Sequence, residues 1–319
     1  MLRCLPISVT FPHTRYKSLR ILVTGVTGQI GSALLRSLGA YDLLPADRAI
    51  LDLTKPGEIA SRLTELRPEV IINSAAYTAV DRAEDDRELA FTVNGESPGA
   101  IARWAADHQT PLIHLSTDYV FDGSGTRPWR EDDPTGPLNV YGASKLAGEK
   151  AIFKAGGSHL IVRTSWIYSA QGTNFLCTIS RLAREREEIR VISDQIGAPT
   201  SAEWVAETIS QILKQGSADL AQVFDRARRS VNVASAGKIS WHGFAQAIVN
   251  GLRRRDVPVR TQFVTPIEAT AYPSKAMRPK NSCLDLSRLS EMFQIEPMEW
   301  NILLERELDR LVPILKNQN

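Results

Sequence analysis

The sequence predicts an α/β protein: a doubly wound parallel sheet, followed by a smaller, mixed C-terminal substrate lobe. Three observations carry that expectation. Short hydrophobic runs rich in β-branched residues alternate with helix-period segments from Leu19 to about Trp166. The first of these runs stops at a glycine turn that opens a helix, and beyond Trp166 the alternation loosens.

The elements follow in order. LRILVTG, from Leu19, is a short buried strand, and Ile30, Ala33, Leu34 and Leu38 then recur at helical spacing. YDLLPAD reads as the second strand, EIASRLTELR as a helix and VIINSAA as the third strand. ELAFTVNGESPGAIARWAADH is mostly helical, although Gly95 costs that helix about 1 kcal/mol relative to alanine. PLIHLSTDYVF is the fourth strand, YGASKLAGEKAIFKA a helix and HLIVRTSWIY a further strand. This alternation gives right-handed βαβ units with helices on both faces of a parallel sheet. Residues 19–165 form one domain on this reading, and 166–319 form mainly a second lobe that exchanges some chain with the first. The second lobe holds a charged helix around RLAREREE, a strand at IRVISD, a helix over AEWVAETISQILK and a Gly/Ser-rich junction near Gly237. The last helix, from about Glu299, places Leu303, Leu304, Leu308, Leu311 and Leu315 on one face for core packing.

Composition excludes several classes. Of 319 residues, 43% are hydrophobic and 23% charged, both ordinary for a globular chain and too mixed for a disordered or coiled-coil one. No strictly apolar run reaches the length of a membrane span or a secretory signal. Cys4, Cys177 and Cys283 form neither a disulfide framework nor a zinc pattern, so no metal site is expected and a cytoplasmic setting is the default. The net charge of +2 is uneven: Arg3, Arg15, Lys17 and Arg20 precede or open the first strand, and all 36 acidic residues follow. The body is therefore slightly acidic, and neither nucleic acid nor membrane is an expected partner.

The turn Gly25-x-x-Gly28-x-x-Gly31 fits a Rossmann-type dinucleotide site. Its first glycine permits a tight turn, its second lets backbone amides approach a pyrophosphate, and its third lets helix and strand pack closely. The helix N-terminus faces the anion with free amides. Asp47 stands at the end of the second strand, where a carboxylate can accept bonds from the adenosine ribose hydroxyls, while its neighbour Arg48 could instead hold a 2′-phosphate. The pair leaves NADH and NADPH both open, and a plain solvated Asp-Arg turn is the alternative. Asp52 and Leu53 are placed to bracket the adenine, one by a polar and one by an apolar contact.

Tyr141 and Lys145 lie four residues apart on a helix and so share a face. A nearby ammonium lowers a phenol's pKa and makes it a usable proton donor or acceptor. Ser116, Thr117 and Asp118 lie at the C-terminal end of the fourth strand, where ligands of open α/β sheets bind.

At these residues the chain resembles the extended short-chain dehydrogenase/reductases, and within them the dTDP-4-dehydrorhamnose reductase family. The likeness runs from about Leu19 to Asp285, through TGVTGQIG, LDLT, NSAAYTAVDRAE, LSTDYVFDG, PLNVYGASKLAGE, RTSWIY, DQIGAPT and RPKNSCLD. It implies NAD(P)H-dependent reduction of the C4 ketone of a dTDP-linked 6-deoxy-4-keto-L-hexose, with Tyr141, Lys145 and Thr117 catalytic. The resemblance selects Thr117 over Ser116, sets Gly28, Gln29 and Ile30 on the pyrophosphate and lines the cofactor with Ala75, Ala76, Tyr77 and Thr78. It brings Thr117, Asp118 and Trp166 to the dTDP-sugar. Arg278 is a candidate for the sugar diphosphate, with a surface ion pair as its alternative. Two positions depart from the family pattern: Ser74 and Tyr77 stand where alanine and histidine are common.

Two rival readings keep the same motifs. A nucleotide-sugar epimerase or dehydratase would recycle tightly held NAD, and a non-catalytic regulatory subunit resembling that of methionine adenosyltransferase would not turn over at all. The resemblance admits a monomer or a Mg2+-assisted homodimer, and no compact carboxylate cluster selects between them. Residues 1–18, which hold basic residues and no acidic one, read either as a transit segment or as translated upstream sequence with initiation at position 19.

Overall fold

The computed structural model describes residues 19–216 and 219–316; the expectation about residues 1–18 lies outside them. Strand and helix alternate through β1 (Arg20–Thr24), α1 (Gln29–Ser37), β2 (Asp42–Ala46), α2 (Ile59–Leu66), β3 (Val70–Asn73), α3 (Val80–Ala83), α4 (Arg87–Phe91), α5 (Ser97–Asp107), β4 (Leu112–Thr117), α6 (Val140–Ala155) and β5 (His159–Thr164). Then come β6 (Ile167–Tyr168), α7 (Phe175–Glu185), β7 (Glu188–Ile192), β8 (Ile196–Gly197), β9 (Thr200–Ser201), α8 (Ala202–Gln215), α9 (Leu220–Arg226) and β10 (Ser230–Asn232). The chain ends with β11 (Ile239–Ser240), α10 (Trp241–Arg253), β12 (Phe263–Ile267), α11 (Ser287–Phe293) and α12 (Trp300–Lys316).

Six strands form one parallel sheet in the order β10-β5-β4-β3-β1-β2. β10 comes from the second half of the chain, which therefore contributes directly to the first half's sheet. The strand alternation splits the core into two layers. Ile21, Val23, Val70 and Ile72 face α1 and α8 on one side, while Leu22 and Ile71 face α2 and α5 on the other. Each such buried side chain contributes about 1.5–3 kcal/mol. A separate core joins α7, α10 and α12 through Leu176, Phe244, Leu304 and Leu308. All five leucines assigned to one face of the last helix are buried.

Three local expectations need correction. The run HLIVRTSWIY is broken: β5 ends at Thr164, Trp166 takes φ +49°, and Ile167–Tyr168 pairs with β9 outside the main sheet. PLIHLSTDYVF also stops early, because the Thr117 hydroxyl accepts from the Tyr119 amide and caps a turn of 3-10 helix over Asp118–Val120. Gly95 does not merely weaken a helix. It lies in a π-helical turn, Thr92–Glu96, where an added Cβ would stand 3.3 Å from the Ala147 Cβ of α6, so its missing side chain lets the two helices touch.

Candidate active site

The strand order reverses around β1, and a cleft of about 1550 Å3 opens at the C-terminal strand ends there. Its volume exceeds that of a typical single-ligand pocket, roughly 300–1,000 Å3, and leaves room for a dinucleotide beside a sugar nucleotide.

The glycine turn forms one wall. Gly25 has φ +68°, and a Cβ on Gly31 would meet the Gly25 carbonyl oxygen at 2.1 Å, so neither position takes a side chain. Gly28 is the N-cap of α1 and offers no side-chain acceptor, which leaves the first-turn amides of Gln29, Ile30 and Gly31 facing the cleft. This uncapped cradle fits a pyrophosphate. The Gln29 side chain accepts a hydrogen bond from Ser169 (3.1 Å) and so links the turn to the segment that follows β6.

At the far end, Asp47, Arg48, Asp52 and Leu53 all line the cleft. Asp47 Oδ1 accepts from the Ala49 and Ile50 amides (2.9 and 3.1 Å), which closes the turn after β2. Arg48, largely exposed, reaches Asp52 at 3.3 Å. Bonds from Thr54 hold the Asp52 carboxyl below its ordinary range and keep it ionised. Ala75, Ala76, Tyr77 and Thr78 complete this side. Both family departures are tied to protein: Ser74 donates to the Thr24 carbonyl (2.6 Å), and the Tyr77 hydroxyl donates to Asp86 (2.6 Å). Buried Asn94 bonds the Tyr77 backbone in both directions and also donates to Ser144 on α6.

Thr117, Tyr141 and Lys145 meet at the centre. The start of α6 is rigid because Asn139 caps the Gly142 amide (2.8 Å), and a Cβ on Gly142 would stand 2.2 Å from the Tyr119 carbonyl oxygen. Thr117 and Tyr141 line the same cleft, with the Thr117 hydroxyl donating to Asp118 at 3.1 Å. Ser116 is committed elsewhere, donating to Glu149 at 2.5 Å. Glu149 in turn forms a buried two-point pair with Arg163 (2.9 and 2.7 Å).

The expected lowering of the Tyr141 pKa by Lys145 is not found. Burial pushes the phenol up to about 12, opposed by Thr117 and reinforced by Asp118. The Lys145 ammonium instead donates to the Leu115 carbonyl at 2.6 Å. Its own pKa falls to about 8 through burial, with Glu149 acting the other way. A phenol that holds its proton at neutral pH suits a donor rather than a base.

Of the residues expected at the sugar nucleotide, Thr117, Asp118 and Trp166 line the cleft. Trp166 lines the cleft and stacks on Trp241, ring centroids 3.5 Å apart and planes 9° apart. Its left-handed backbone is uncommon for a bulky residue, and Gly197 makes room for it: a Cβ there would lie 2.5 Å from the indole. Asp118 is buried, and its Oδ2 makes no hydrogen bond among the described residues. Burial raises its pKa to about 7, opposed by the Ser282 and Thr117 hydroxyls. Arg278, by contrast, does not line the cleft; it pairs with Asp81 at 2.6 Å.

Sequence reasoning missed Trp241, Asn94 and Glu149. Only Glu149 left a signal, four residues after Lys145 on the same helix. Among the described residues no group of three or more His, Cys, Asp or Glu could hold a metal ion. Glu203 and Glu307, at the rim of the cleft, are paired with Arg36 and Arg310.

Comparison with known proteins points to one family. Residues 19–312 match the family model described as RmlD substrate binding domain. A dTDP-4-dehydrorhamnose reductase of Burkholderia thailandensis is 43% identical over 88% of this chain and 95% of that protein. One from Escherichia coli K12 is 38% identical over 92% and 98%. The crystal structure of a Bacillus anthracis dTDP-4-dehydrorhamnose reductase in complex with NADP superposes with a TM-score of 0.83 at 34% identity, covering 92% of this chain and 99% of that one.

Proposed function

The chain belongs to the RmlD substrate binding domain family, and from that premise we infer that its cleft reduces the C4 ketone of dTDP-4-dehydro-L-rhamnose to dTDP-L-rhamnose with NAD(P)H. One observation carries the reading: the glycine cradle, Thr117, Tyr141 and Lys145 line one cleft, although they come from β1, β4 and α6. Reduced nicotinamide, when bound, supplies a hydride to the carbonyl carbon.

The residues divide the remaining work. Gly28, Gln29 and Ile30 bind the pyrophosphate through α1 amides, while Asp47, Asp52 and Leu53 receive the adenosine and Ala75 to Thr78 the middle of the cofactor. Thr117 holds the ketone oxygen in line with Tyr141, which gives its proton to the developing alkoxide. Lys145, held by the Leu115 carbonyl, hydrogen-bonds the nicotinamide ribose. Asp118 takes a sugar hydroxyl with its free Oδ2, and Trp166, backed by Trp241, offers an apolar face to the sugar nucleotide. Arg278 acts from outside the cleft, fastening its loop to α3 through Asp81. Both cofactors are accommodated, because exposed Arg48 can leave Asp52 to meet a 2′-phosphate. No helix among the described residues is long and apolar enough to cross a membrane.

The test is to supply the 4-keto-L-rhamnose nucleotide, follow NADH and NADPH oxidation separately and identify the sugar formed. One cofactor oxidised per dTDP-L-rhamnose is expected. Turnover of sugar without net cofactor oxidation would instead identify an epimerase or dehydratase, and absence of turnover would favour a regulatory subunit.

A further inference from the structure

Three polar side chains lie in register across the buried centre of the sheet. Thr24 of β1 is aligned with Asn73 of β3, and Asn73 with His114 of β4. All three are almost wholly inaccessible, at 1%, 1% and 0% exposure. Apolar residues fill the rows beneath them, and a leucine or valine would suit these positions better, since each buried polar group must be matched by a partner. The row is continuous: Thr24 Oγ1 is 2.6 Å from Asn73 Oδ1, Asn73 Nδ2 is 3.0 Å from His114 Nδ1, and His114 Nε2 is 3.3 Å from Lys145 Nζ. It ends on the ammonium of α6.

We propose that His114 is a positioning residue for Lys145: its Nε2 accepts a hydrogen bond from the ammonium and, together with the Leu115 carbonyl, fixes two of its three N–H bonds so that the third is aimed into the cleft. The proposal rests on the reductase reading only for the role of Lys145 in turnover. Burial and the adjacent Lys145 hold the His114 pKa well below its ordinary value, so the ring is neutral and one nitrogen is free to accept. Because an ammonium only donates, that nitrogen is Nε2, and the ring proton sits on Nδ1. Asn73 then presents its amide oxygen to Nδ1, an exchange of Oδ1 and Nδ2 that moves no heavy atom. Thr24 serves either orientation, since a hydroxyl both donates and accepts. The pair is faced by Glu149 on α6, which Arg163 neutralises, and by neutral Thr24 and Asn73 from β1 and β3.

Two measurements decide it. Nitrogen-15 NMR of the wild-type apoprotein reads the His114 tautomer without substrate; a proton on Nδ1 is expected, and a proton on Nε2 overturns the proposal. The second compares His114→Gln, whose amide reaches the Nε2 position, with His114→Asn, which reaches only the Nδ1 position. In His114→Asn, kcat should fall roughly 10- to 100-fold with a smaller change in KM, and Lys145, titrated through labelled Cε, should lose about one pKa unit. His114→Gln should stay within about threefold of wild type. Equal behaviour of the two variants in kcat and in the Lys145 titration overturns the proposal. Should either variant fail to fold, the wild-type tautomer alone decides. Wild-type turnover in the same assay tests the reductase reading separately.

Discussion

Arg278 Nη2 stands 2.6 Å from Asp81 Oδ2 and joins the loop before Asn281 to α3. Asp81 also accepts from the Ala276 amide (3.0 Å) and from Ser274 (3.1 Å), while Asn139, the cap of α6, donates to the Met277 carbonyl (2.8 Å). The loop is thereby fastened both to α3 and to the helix that carries Tyr141. Replacing either Arg278 or Asp81 by alanine should raise KM for the sugar nucleotide about tenfold with a smaller effect on kcat. Steady-state kinetics of both single variants and the double variant check this; near-equal losses in all three mark one shared interaction.

Arg48 is the natural discriminator between cofactors. Its guanidinium is exposed and its partner Asp52 keeps bonds from Thr54 when Arg48 leaves. Arg48→Ala should therefore raise KM for NADPH about tenfold while leaving KM for NADH within about twofold.

Asp118 makes stability depend on pH. Its pKa is about 7 when folded and 3.8 ordinarily, so between those values the folded state binds more protons than the unfolded one. Stability accordingly falls as pH rises from about 4 to 7 and is level above that. Asp118→Asn removes this dependence. Its gain over wild type in urea unfolding should be absent at pH 4 and reach a few kcal/mol at pH 8, while kcat/KM falls through loss of a sugar contact.

Gly197 and Trp166 supply a steric test. A Cβ 2.5 Å from the indole forces the Trp166 ring off Trp241. Gly197→Ala should raise KM for the sugar nucleotide and leave NADPH binding, measured by fluorescence titration, unchanged.

Much of the fold and site was legible because the relevant signals are local. β1, the glycine turn and the start of α1 occupy a dozen residues, and Tyr141 and Lys145 are one helical turn apart. The missed features are long-range. Nothing near Trp166 announces Trp241, and Asp81 meets Arg278 across 197 residues of sequence. The break at Trp166 was hidden because a hydrophobic run does not reveal a left-handed residue inside it. The spacing of Tyr141 and Lys145 placed them on one face but gave the wrong direction for the phenol. Burial, a property of the folded chain, raises the phenol, while the cation is held by the Leu115 carbonyl and His114.

The most direct test of the reaction is Tyr141→Phe, which removes one hydroxyl and keeps the ring that packs edge-on against Tyr119 at 5.6 Å. With NADPH and the 4-keto sugar nucleotide, kcat should drop by about two to four orders of magnitude, while the dissociation constant for NADPH stays at the wild-type value. A variant that retains near-normal kcat would contradict the assignment of Tyr141 as the proton donor.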